Sequence, residues 1–104
     1  MKISVLKLTA KGEFVITWIR PDVEDLRHLL GGAVDSVKLF TDVQSFILRV
    51  SENHELEENV NVPGIYGDIV FTGGRGSYLA DLPADKMAVL IRLFKGEVVS
   101  DGKA

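Results

Sequence analysis

Between Glu13 and Arg20 the chain places Phe14, Ile16 and Trp18 on one face of an extended segment and Val15, Thr17 and Ile19 on the other. Side chains alternate across a strand, so a strand apolar on both faces must be covered on both, and it belongs inside a sheet rather than at its rim. In this reading Trp18 is a core residue. Residues 3–8 have the same β-branched and aliphatic character, and the short Ala10-Lys11-Gly12 connection makes the two segments a β-hairpin.

Beyond Pro21, the spacing of Val23, Leu26, Leu29 and Leu30 predicts a short helix that Asp22 can cap and Gly31-Gly32 can end. Residues 33–40 and 43–50 read as a strand pair around Thr41-Asp42, with Phe46, Leu48 and Val50 on a core face opposite Ser45, Ile47 and Arg49. Residues 51–67 are polar and acidic and form a long loop, after which residues 68–72 return to strand. Met87, Leu90, Ile91 and Phe94 then mark one face of a helix that starts near Pro83 and finishes with Arg92, Lys95 and Gly96. Val98 and Val99 can add a short edge strand, and residues 100–104 form a polar tail. The expectation is one α+β domain over residues 1–99. It has a mixed or antiparallel sheet of about five strands and two helices in the order ββαβββα, and the two helical stripes can cover one sheet face.

Composition narrows the function classes. A chain of 104 residues, 46% hydrophobic, is the size of one domain with a core of its own. With 12 Lys and Arg against 15 Asp and Glu, net charge −3, it lacks the basic excess that duplex nucleic acid demands. Having no cysteine, it forms no disulfide, thiolate zinc site or thiol nucleophile. The first residues do not follow the pattern of a signal peptide, and no stretch approaches the roughly 20 apolar residues that span a bilayer, so a cytoplasmic protein without a membrane partner is expected.

From the short helix onward, residues 23–95 carry a series of motifs in a telling order: LRHLLGG at 26–32 running into a strand, a polar loop containing Asn53, Asn59 and Asn61, GDIVFTG at 67–73, and Leu82 with Asp85 opening the last helix. That order resembles domain-of-unknown-function family 3846, small proteins of phages, plasmids and their bacterial hosts. The sequence departs from the family pattern at residues 52–56, where an acidic-glycine turn is expected, and at Pro83, where a capping hydroxyl is expected. What the resemblance implies is a genomic setting, an accessory product of a mobile element; it brings no catalytic residue.

One segment stands out as a binding candidate. Gly73, Gly74, Arg75, Gly76, Ser77 and Tyr78 follow a strand, and three glycines around one arginine let backbone N–H groups and a guanidinium converge on an anion. The lysine and spacing of a nucleotide-hydrolase loop are missing, and the plain alternative is an ordinary hairpin or surface loop. Tyr66 and Tyr78 flank the same strand and can offer stacking faces to a base. Glu24 and His28 share a helical face, and His54 lies among Glu52, Glu55, Glu57 and Glu58, but neither group supplies a full ligand set, so no metal or cofactor is assigned. Ser45, Ser51 and Ser77 have no spacing to a base, and no catalytic residue is assigned. The expectation is a non-enzymatic binder, as a possible homo-oligomer, of a small anionic ligand such as a nucleotide immune signal. The rival is an inhibitor or adaptor that meets a host protein through Glu52, Glu55, Glu57 and Glu58. A ligand-free structural module is a third class.

Overall fold

The computed structural model describes residues 1–40, 45–74, 78–95 and 97–99. The turn at Thr41-Asp42, the loop centre Arg75-Gly76-Ser77, Gly96 and the tail 100–104 lie outside the described residues. Two helices and a six-stranded mixed sheet make a small α+β domain. In chain order the elements are β1 (Ile3–Leu8), β2 (Glu13–Ile19), α1 (Val23–Leu30), β3 (Val34–Phe40), β4 (Ser45–Ser51), β5 (Ile69–Thr72), α2 (Ala84–Phe94) and β6 (Glu97–Val99). Across the sheet the order is β3-β4-β5-β1-β2-β6, antiparallel throughout except that β6 runs parallel to β2. Val98 and Val99 thus close the sheet as an edge strand.

Alternation divides the core in two. Leu6, Leu8, Phe14, Leu48 and Phe71 gather under Met87 and Leu90 of α2, whereas Ile3, Val5, Ile19 and Val70 gather under Leu26 and Leu30 of α1. The helices therefore cover opposite faces, a correction to the expectation of a shared one. The doubly apolar β2 already demanded cover on both sides, and β1 and β5 receive it most fully, with all four residues of β5 buried.

Trp18 is the second correction: it is 54% exposed. Register explains it, because Phe14 and Ile16 lie opposite Leu8 and Leu6, while Trp18 lies opposite the small Ser4 at the far end of the same face. Apolar neighbours run out before the indole is reached.

The join between β2 and α1 is electrostatic. Asp22 accepts from the Asp25 N–H at 2.8 Å as the helix cap, and Gly31, left-handed at φ 82°, ends the helix with an N–H bonded to the Arg27 carbonyl. Asp25 accepts from the Arg20 guanidinium at 2.8 Å and from the Arg20 backbone N–H at 2.9 Å. First the side-chain bond and then the backbone bond to Arg20 pull the Asp25 carboxyl from an ordinary 3.8 down to about 2.

Phe71→Ala costs about 3–5 kcal/mol in urea unfolding, whereas Trp18→Ala costs less than about 1 kcal/mol; equal losses would contradict the exposed indole. Because the Asp25 carboxyl is depressed in the folded state, its contribution is present above the ordinary value of 3.8 and fades as pH falls toward about 2. The melting-temperature difference between the parent and Asp25→Asn should be constant near neutrality and shrink across that acid window.

Candidate functional sites at the two ends of β4

At the end of β5 the sheet is spliced. Gly73 and Ala80 exchange backbone hydrogen bonds at 3.0 and 3.2 Å, and the returning segment bonds β1 through Leu82 N–H to the Ser4 carbonyl at 2.9 Å. The Asp81 carboxylate also accepts from the Ser4 N–H at 2.7 Å. This crossing is so close that a Cβ on Gly73 would strike the Asp81 carbonyl oxygen, and one on Gly74, which has φ +86°, would strike the Tyr78 carbonyl oxygen. Two of the three glycines read as a ligand cradle therefore have a structural duty: they let the chain double back on itself.

They also border a cleft of about 200 Å³. Gly73 and Gly74 line it with Thr72, with Lys38 of β3, and with Pro83 and Lys86 at the start of α2. Two lysines and no carboxylate line it among the described residues. Pro83 occupies the N-cap position of α2 without a side-chain cap bond, so the positive end of an 11-residue helix dipole borders the same space. Thr72 is tied in turn to Arg49, a buried arginine whose Nε donates to the Thr72 hydroxyl at 3.0 Å and whose guanidinium donates to the Ser36 hydroxyl at 2.8 Å. Burial pushes the Arg49 pKa below its ordinary value.

The proposed stacking pair does not assemble. Tyr78 is 71% exposed and borders a separate cleft of about 350 Å³ beside Met1, Ile3 and Pro21, while Tyr66 lies beyond the opposite end of β5. Tyr66 instead pairs with His54, ring centroids 5.4 Å apart at an interplanar angle of 34°. Both line a second cleft of about 440 Å³, together with Asp35, Glu52, Val50 and Ile65.

The segment expected as a plain loop is pinned. Glu58 and Tyr66 form an antiparallel bridge, flanked by Gly67 N–H to the Glu57 carbonyl at 2.7 Å and Asn59 N–H to the Ile65 carbonyl at 2.8 Å. Asn59 is 1% exposed, and its amide donates to the Thr9 and Gly67 carbonyls at 3.2 Å each while its oxygen accepts from the Asn61 N–H. Asn61 donates to the Phe94 carbonyl at 2.8 Å, fastening the segment to the end of α2. Of the four glutamates, Glu52, Glu55 and Glu57 are exposed, and Glu58, also exposed, accepts from the Gly64 N–H at 2.8 Å. On α1, Glu24 is paired with Arg27 at 3.2 Å, and no group of three His, Asp or Glu able to hold a metal occurs among the described residues.

Asp35, Lys38, Lys86 and Arg49 escaped sequence reasoning because each is unremarkable on its own element. Only the pairing of β3 with β4 and the position of the first turn of α2 bring Asp35, Lys38 and Lys86 to the clefts, while Arg49 reaches the basic one only through its bond to the Thr72 hydroxyl. Compared with protein families, curated proteins and solved structures, the chain matches none significantly. Among the described residues, no helix is long and apolar enough to cross a membrane.

Gly74→Ala should destabilise by more than Gly64→Ala. Both residues have positive φ, but an added Cβ meets nothing within 4 Å at Gly64 and meets backbone at Gly74. About 1 kcal/mol at Gly64 and at least about 2 kcal/mol at Gly74, read from urea midpoints, is the expected outcome.

Proposed function

We propose that this chain is a small non-enzymatic binding domain that captures an anionic, phosphate-bearing ligand in the cleft between the end of β5 and the start of α2. The observation that carries the reading is the composition of that cleft: Lys38, Lys86, the backbone of Gly73 and Gly74 and the uncapped start of α2, with no carboxylate among the described lining residues. Lysine charge and a positive helix end both favour an anion. A volume of about 200 Å³ is below the roughly 300–1,000 Å³ of sites that enclose a whole drug-sized molecule, so the cleft suits a phosphate head group with the rest of the ligand reaching outward. Arg75 is next in sequence to Gly74, which makes it a further cation to test against the same ligand.

A binder rather than a catalyst is favoured by how the polar side chains are engaged. The Ser36 hydroxyl accepts from Arg49, the Ser51 hydroxyl accepts from the Asn53 N–H at 3.1 Å, and Asp25 is held by Arg20. In the setting that the motif order from 23 to 95 suggests, a phage or mobile-element product of the host cytoplasm, such a domain would sequester a nucleotide immune signal. Sequestration needs affinity and no turnover.

Thermal shift tests the reading. Inorganic phosphate and a panel of cyclic and linear nucleotides are titrated against the parent, Lys86→Gln and Arg75→Ala. A ligand at about 100 times its Kd stabilises by roughly 2.7 kcal/mol, a rise on the order of 10 °C for a chain of this length. The expected result is such a rise with at least one nucleotide, reduced in both variants. No rise with any of them, or one that both variants leave unchanged, would sink the proposal.

A further inference from the structure

The larger cleft has the opposite chemistry. Asp35 projects from β3 and Glu52 follows β4, and both line the cleft; among the described residues no lysine or arginine lines it and neither carboxylate belongs to an ion pair. Besides Ser51 and Gly64, the remaining described walls are apolar and aromatic, with Val50 and Ile65 beside the His54–Tyr66 ring pair. Unneutralised carboxylates repel anions, and the face of a tyrosine attracts a cation through its quadrupole. A bare metal ion is a poor fit, because no group of three His, Asp or Glu side chains among the described residues converges to hold one. What suits two separated carboxylates, two rings and aliphatic walls is a cation that is itself partly apolar.

Size and rigidity agree with that chemistry. At about 440 Å³ the cleft lies within the range of small-molecule sites. Its outer wall is the pinned segment, held by buried Asn59 on one side and by the Glu58–Gly64 bond on the other, so it does not have to be ordered when a ligand arrives.

We propose that this cleft is a second binding site, specific for an organic cation: an alkylammonium or guanidinium group, its charge between Asp35 and Glu52 and its carbon chain against Tyr66 and Ile65. The group can come from a free amine or from a lysine or arginine side chain of a peptide. The site shares no residue with the anion cleft, so either proposal can fail without the other.

Backbone NMR titration tests it, with agmatine as the free amine, an N-acetylated Gly-Arg-Gly amide as the peptide arm, and acetate as an anionic control. Saturable shifts centred on Val37, Val50, Gly64 and Tyr66 are expected for both cations and not for acetate, and the tighter arm identifies the natural source. Asp35→Asn with Glu52→Gln should weaken binding at least about tenfold and Tyr66→Ala several-fold, whereas Glu57→Gln, outside the cleft, should leave it unchanged. The spectrum of each variant away from the cleft reports that it has folded. Two results would overturn the proposal: no saturable shift up to about 10 mM of either cation, or shifts spread over Glu55 and Glu57 that Glu57→Gln weakens as much as the double substitution does.

Discussion

Strands β1 and β5 are covered on both faces, so their backbone groups have little water to bond with and must pair with neighbouring strands. Most other features of the domain serve that requirement. β2 and β4 complete the ladders on either side, α1 and α2 seal the two faces, and Asn59 satisfies carbonyls where β1 turns out of the sheet. Where β5 ends, residues 80–82 take over beside β1, with Ala80 bonded to Gly73 and Leu82 to Ser4. The glycine pair at 73–74 exists in the first instance because this substitution of one strand by another needs two backbones nearly in contact.

The elements were legible in the amino-acid pattern because each is governed by neighbours a few residues away. Asp22 and Gly31 bracket α1, the alternation of Phe46, Leu48 and Val50 marks β4, and Met87 with Leu90 marks the buried stripe of α2. Which face each helix covers was not legible, because it depends on where the chain crosses the sheet. Trp18 illustrates the same limit. Its alternation with Phe14 and Ile16 assigns its face correctly, but its exposure depends on Ser4 across the strand and on how far the helical cover extends.

The candidate sites were legible only in fragments. Gly73 and Gly74 do border a cleft, yet the lysines that make it basic come from β3 and α2, 35 residues before and 12 residues after Gly74–Gly73 respectively in the numbering of Lys38 to Gly73 and Gly74 to Lys86. Tyr66 and Tyr78 both flank β5 in the sequence, but a strand holds its two flanks apart. Alternation places Arg49 on the face opposite Phe46, Leu48 and Val50, whereas its burial between the Ser36 and Thr72 hydroxyls requires the three-strand register of β3, β4 and β5. The acidic segment has a charge pattern visible in sequence, but its rigidity comes from Asn59 and Asn61 reaching across to β1 and α2.

β4 spans the distance between clefts of opposite sign: Phe46 and Ile47 touch the basic one, Val50 and Ser51 the acidic one. A net charge of −3 conceals this local separation of sign between the two ends of one strand. Lysines at one end and carboxylates at the other favour ligands of opposite sign at the two ends of the strand. Both preferences weaken as added salt shortens the Debye length.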